Sequence, residues 1–180
     1  MGDDYIAPLK ATHIDMDGAL RLTYWRGNDV LKGTDACTHN CPNPNHSCQS
    51  NEIVVEGIVL LPAGGSLRIA PCVPDISQTV IVSIDGATLV MNISIGGNVV
   101  ETVDRSLMGL VDPSQTNFTL LTRGGMFEFY LGGFLMLPAR MTTVFTGIHL
   151  GATGGLRVAG IWNMTRMPPN TPVPPPPPRK

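Results

Sequence analysis

The chain has 180 residues, room for one domain with a tail and too few for a catalytic domain plus an accessory domain of ordinary size. Its 20 Gly and 16 Pro are in excess and charged residues are only 14%, against about 25% in ordinary globular chains, which disfavours a helical bundle or coiled coil. A net charge of −2 with no basic block inside the fold leaves no footprint for nucleic acid, while 43% apolar residues supply a core and exclude a disordered chain.

Residues 1–16 read as a lead-in without the basic and apolar regions of a signal peptide, and no stretch approaches about 20 uninterrupted apolar residues, so no membrane span is expected. Residues 19–25, Ala-Leu-Arg-Leu-Thr-Tyr-Trp, alternate as an early strand. From residue 33 to 51 the chain is polar and rich in Cys, His, Asn and Pro, a loop that needs a covalent or metal staple to be ordered. Cys37, Cys41, Cys48 and Cys72 are disulfide candidates with three possible pairings; reduced thiols and zinc are the alternatives. C-x3-C followed by H-x-C fits no common zinc spacing, so no metal site is nominated.

From residue 52 onward, period-2 apolar runs predict strands over 52–61, 66–70, 79–84, 87–95, 98–104, 117–123, 126–131, 147–150 and 156–164. Asp85-Gly86, Gly96-Gly97, Gly124-Gly125 and Gly132-Gly133 read as two-residue hairpin turns, because the primed turns need positive φ. The pattern predicts an all-β chain, an antiparallel β-sandwich or jelly roll over residues 17–167. Residues 168–180 form a proline-rich tail, polyproline II or disordered, with a Pro174-x-x-Pro177-x-Arg179 spacing best read as a spacer. The even cysteine count and the sequons at Asn45, Asn92, Asn117 and Asn163 lean towards an extracellular or secretory-lumen location.

Chemistry-bearing patterns are sparse. Sugar-bond hydrolysis needs two carboxyl groups about 5 to 9.5 Å apart. Glu101, Asp104, Asp112 and Glu128 cluster in sequence, but surface charge is the commoner role of such residues and no pair is nominated. There is no G-x-S-x-G, and His13, His39, His46 and His149 have no recognisable nucleophile partner. No phosphate-cradling loop opens a helix, and no cofactor is expected. Tyr24, Trp25, Tyr130 and Trp162 are candidates for stacking on sugar rings, weighed against the commoner role of such aromatics as core filler.

Asp104-Arg105-Ser106, then Phe127-Glu128-Phe129-Tyr130 before a two-residue turn, then Thr146-Gly147-Ile148-His149-Leu150, together resemble the C-terminal, concanavalin-like β-sandwich of the invertase and fructanase group of glycoside hydrolases. The segment from Asp17 to Gly33 looks like the stretch leading out of that group's propeller, so the resemblance covers residues 17–165. The turn is Gly-Gly here, where relatives often have Asn or Asp. The group's catalytic residues lie in an N-terminal five-bladed propeller, in motifs resembling N-D-P-N-G, R-D-P and E-C. None of these motifs occurs here, and no catalytic role carries over. The resemblance implies a non-catalytic module that stabilises or accompanies a catalytic propeller, with weak carbohydrate binding, so carbohydrate and such a propeller are the expected partners. A free-standing lectin-like protein and a hydrolase with an unrecognised carboxylate pair are the alternatives.

Overall fold

A computed structural model describes residues 8–35, 46–48, 52–72, 80–123, 126–140 and 147–164. These residues form two antiparallel sheets packed face to face, a β-sandwich as the sequence predicts. The strands are β1 (Lys10–Ile14), β2 (Leu20–Tyr24), β3 (Lys32–Asp35), β4 (His46–Cys48), β5 (Glu52–Val59), β6 (Ser66–Cys72), β7 (Val80–Asp85), β8 (Met91–Ile95), β9 (Asn98–Val103), β10 (Thr116–Arg123), β11 (Met126–Leu131), β12 (Phe134–Arg140), β13 (Gly147–Ala152) and β14 (Leu156–Met164). One sheet has eight strands in the order β1-β2-β12-β11-β10-β5-β14-β3; the other has six, β4-β13-β6-β7-β8-β9.

Alternation fixes which side chains face inward. From β5, Ile53, Val55 and Val59 enter the inter-sheet core, joined by Phe118 and Leu120 of β10 and by Phe127, Phe129 and Leu131 of β11. The six-stranded sheet answers with Leu67, Ile69, Val82, Ile84, Met91, Ile93, Ile148 and Leu150. Phe118 stacks on Phe129 with centroids 6.3 Å apart. Gly57, opposite Phe118 in the β10–β5 register, makes room for that ring: a Cβ there would lie 2.6 Å from it.

Two glycine pairs are the two-residue turns expected. Gly96 and Gly97 (φ 57° and 87°) join β8 to β9, and Gly132 and Gly133 (φ 58° and 86°) join β11 to β12. Asp85-Gly86 is a correction. Residues 86–90 form a longer connection, because the Asp85 carboxylate accepts the Ala87 and Thr88 amides and the Thr88 hydroxyl at 2.9 to 3.0 Å and draws the chain into a wider turn. Gly124-Gly125 lies outside the described residues, as do Cys37, Cys41, Asn45 and the tail from residue 165.

Three boundaries change as well. The lead-in contains β1, which pairs with β2 along its whole length, so the sheet begins before residue 17. The 33–51 loop contains β4 and the end of β3. β12 is a strand without a predicted counterpart. Its alternation is broken by a bulge, with Phe129 opposite Leu137 but Tyr130 opposite Leu135, and by Pro138. Among the described residues β12 meets β2 only at Phe134, so Pro138 stands where the strand has a ladder partner on one side, the kind of position at which proline is tolerated.

Candidate functional site

The two outer faces differ in chemistry. On the six-stranded sheet, Arg68 is exposed and Ser83, Asn92 and Ser94 are half-buried; Asn92 accepts a hydrogen bond from the Thr102 hydroxyl at 2.8 Å. The outer face of the eight-stranded sheet instead carries a second apolar cluster, Leu31, Val54, Leu121, Tyr130, Leu135 and Met164, against which Tyr24 and Trp162 pack.

This cluster exists because of an unusual connection. β2, second in the sheet order, and β3, at its far end, are joined only by Trp25 and a short 3-10 helix, Arg26–Leu31, so the chain crosses the outer face as a strap. Leu31 is inserted into the apolar cluster, and the buried Asn28 donates through Nδ2 to the Leu9 carbonyl at 2.7 Å. Lys32, at the end of the strap, pairs with Asp29 at 2.9 Å and Glu56 at 2.8 Å, and its Nζ sits 4.9 Å from the centre of the Trp162 ring. Burial opposes its charge, but the hydrogen bonds to Glu56 and Asp29 prevail and hold the ammonium above its ordinary pKa.

The same face holds a buried ionic group. Glu128 is 5% exposed; Oε1 accepts from Lys10 Nζ and Oε2 from the Tyr130 hydroxyl, each at 2.7 Å. Tyr24 packs edge-on against Tyr130 with centroids 5.3 Å apart and donates its hydroxyl to Asp29 at 3.0 Å. Burial, reinforced by Asp29 for Tyr24 and by Glu128 for Tyr130, pushes both phenols up, so both remain neutral donors.

Thus the structure brings Tyr24, Tyr130 and Trp162 onto one face, as a set of sugar-stacking residues requires, but engages each of them internally. Tyr130 has no exposed surface, so its candidacy for ring stacking is corrected: its ring is core and its hydroxyl belongs to Glu128. Trp162 lies under the Lys32 ammonium, and Trp25, half-buried, packs its ring over Gly27.

The four acids sit in different settings. Glu101 is exposed on β9 of the six-stranded sheet, Asp104 accepts the Ser106 amide at 2.7 Å, and Asp112 accepts the Ser114 amide at 2.9 Å. Asp112 is held below the usual carboxylate range by Ser114. Glu128 is committed to Lys10 and Tyr130 on the other sheet. Among the described residues no cluster of His, Cys, Asp and Glu could hold a metal ion, and no helix is long and apolar enough to cross a membrane. Of the cysteines, register places Cys48 opposite Ile148 and Cys72 opposite Gly147, on the two strands flanking β13.

The most exposed apolar surface is the β1–β2 hairpin. Ile14 and Leu20, cross-strand partners, are each 67% exposed, with Leu22 and the turn residue Met16 beside them. The hairpin is nevertheless clamped. Asp15, buried in the turn, accepts the Asp17 and Ala19 amides through Oδ1 and Arg21 Nε through Oδ2 at 2.7 Å, and Arg21 holds its carboxyl below the usual range. The terminal nitrogens of Arg21 donate to the Arg105 and Ser106 carbonyls, and Arg105 Nε reaches the carbonyl of the bulged Met136 at 3.1 Å. Asp104-Arg105-Ser106 is therefore a structural junction between the hairpin, β12 and the β9–β10 connection. Sequence reasoning missed this surface; the apolar alternation of Leu20 and Leu22 was visible, but its exposure depends on β1 being the sheet edge.

No family model matches the chain, and no curated protein matches it. Among solved structures, it is similar to the Bombyx mori GH32 beta-fructofuranosidase, with TM-score 0.62 and 10% identity over 87% of this chain and 32% of that one. It is also similar to the exo-inulinase from Aspergillus awamori, with TM-score 0.54 and 11% identity over 87% and 34% of the two chains. A galectin from Caenorhabditis elegans aligns at TM-score 0.45 and 15% identity, over 76% and 96%. The chain spans about a third of the length of the two hydrolases. At these identities the likeness is one of fold: a β-sandwich of the kind found within these hydrolases.

Proposed function

We propose that this chain is a non-catalytic β-sandwich module that accompanies a glycoside hydrolase, packing against a catalytic domain through the β1–β2 hairpin. The observation that carries this reading is the hairpin itself: Ile14, Met16, Leu20 and Leu22 are exposed together on a turn held by Asp15, Arg21 and Arg105. A rigid, contiguous apolar surface of this kind marks an interaction site. The fold supports the choice of partner, since similar sandwiches make up about a third of a beta-fructofuranosidase and an exo-inulinase. Carbohydrate binding by Tyr24, Trp25, Tyr130 and Trp162 draws less support, because these rings are packed internally, and the engagement of Asp104, Asp112 and Glu128 with other partners weighs against hydrolysis by this chain.

Co-expression with a propeller-type hydrolase domain encoded by the same genome tests the reading. The two should co-elute as a 1:1 complex, and Leu20→Glu with Leu22→Glu should dissociate it while leaving each partner folded. Failure to co-elute, or a complex indifferent to both substitutions, would sink the idea.

A further inference from the structure

The strap covers only part of the outer face of the eight-stranded sheet. In the β10–β5–β14 register, Thr119, Glu56 and Gly160 form one cross-strand row, and Asn117, Ile58 and Arg157 form the next, farther from the Leu121–Val54–Trp162 row on which the strap's Leu31 sits. Phe118, Val59, Leu156 and Val158 face the core, so alternation turns Asn117, Ile58 and Arg157 outward. Asn117 and Arg157 are exposed, and Ile58 and Thr119 are half-buried between them.

What separates this row from the rest of the face is that its polar groups are unspent. Glu128 is held by Lys10 and Tyr130, Glu56 by Lys32, and Tyr24 by Asp29. Among the described residues, neither the Arg157 guanidinium nor the Asn117 amide has a hydrogen-bond or ionic partner in the fold. Neighbouring strands are about 4.8 Å apart, so the Cα atoms of Asn117 and Arg157 stand about 10 Å apart across Ile58. Gly160, with no Cβ, lets the Trp162 indole lie over it, bringing the ring towards this row. An amide and a fixed fork of donors on either side of an apolar floor, bordered by an indole, suit a ring with one apolar face, equatorial hydroxyls and a negative substituent. The carboxylate of the adjacent row, Glu56, is paired with Lys32, which offsets part of its repulsion of an anion.

We infer that, in the chain whose Asn117 sequon carries no glycan, the Asn117–Ile58–Arg157 row is a binding site for an anionic saccharide, with its carboxylate or sulfate on Arg157, a hydroxyl on Asn117 and the ring over Ile58. The site, on β10, β5 and β14, is separated from the exposed hairpin by β12 and β11 in the sheet order and stands independently of the docking reading.

Titrating the 15N-labelled full chain with glucuronic acid, glucose 6-sulfate, glucose and sodium sulfate tests it. Saturable shifts at residues 56–58, 117–119 and 157–160 are expected with both acidic sugars, at about tenfold lower apparent Kd than with glucose, the scale of one charge-assisted hydrogen bond. The better acidic sugar distinguishes carboxylate from sulfate. Arg157→Gln, an exposed substitution, should abolish the preference for the acidic sugars, and Asn117→Ala should weaken both. Absence of shifts at these residues overturns the site; equal affinity for glucose overturns the anionic specificity; equal binding of sodium sulfate alone overturns the saccharide.

Discussion

Arg21 Nε lies 2.7 Å from Asp15 Oδ2, and this pair holds Arg21 so that its terminal nitrogens tie the turn of the β1–β2 hairpin to the Arg105 and Ser106 carbonyls. At the other end the hairpin is held by Lys10 on Glu128 and by Tyr24 on Tyr130, but near the turn its ladder contact with the rest of the sheet is only the Phe134–Thr23 pairing. Arg21→Ala should therefore release the hairpin selectively. Amide exchange in residues 10–24 is expected to accelerate while the amides of β10 and β5 keep their protection; uniform loss across both sheets would contradict this division.

The same pair sets an acid limit. The Asp15 carboxyl is depressed below its ordinary value of 3.8, chiefly by Arg21, so the folded state binds its proton less readily than the unfolded chain. Its contribution is complete above about pH 5 and is lost as pH falls below about 4 through the folded-state pKa. Urea midpoints from pH 7 to 2.5 should show the drop in the natural chain, and Asp15→Asn should flatten that part of the profile.

Glu128 is a buried charge with both oxygens engaged. Glu128→Ala should cost about 3–5 kcal/mol, because it strands the Lys10 ammonium and the fully buried Tyr130 hydroxyl together. Tyr130→Phe removes one neutral donor and should cost nearer 1–3 kcal/mol. Chemical denaturation of the two variants checks the order; a larger loss for Tyr130→Phe would show that the ion pair is not the anchor.

Gly57→Ala should destabilise by about 1–3 kcal/mol, since the new Cβ meets the Phe118 ring and the Arg157 carbonyl, backbone that cannot step aside. Gly97→Ala offers a contrast: nothing lies within 4 Å of its Cβ, so only the strain of φ 87° remains, about 1–2 kcal/mol. Thermal melts of both variants measure the difference.

The sandwich could be read from the chain because its strands advertise themselves locally. Leu120 and Phe129 alternate with polar or outward neighbours, and the glycine pairs at 96–97 and 132–133 can hardly be anything but primed turns. Asp85-Gly86 misled because a side chain, Asp85, competes for the backbone donors and reshapes the turn. β12 was hidden by Pro138 and by the bulge at Met136, which breaks its alternation. The outer face was the least legible. The alternation of Phe127-Glu128-Phe129-Tyr130 shows that Glu128 and Tyr130 share a side, but not that Lys10, 118 residues away, covers one of them. Nor does local sequence show that the aromatic side chain of Trp162 will be capped by a lysine delivered across the sheet.

The strap also constrains the order of assembly. Its ends lead to opposite margins of a sheet whose interior strands come from residues 52 to 164, so the β1–β2 hairpin and β3 have no place in the sheet until β12 and β14 are formed. The segment from β1 to β3 is thus among the last parts of the sandwich that can dock. Its contacts span more than a hundred positions of sequence, a topology that slows folding. Until it arrives, Val54, Leu121 and Tyr130 face water on a half-made sheet, the stage at which this chain is most open to aggregation.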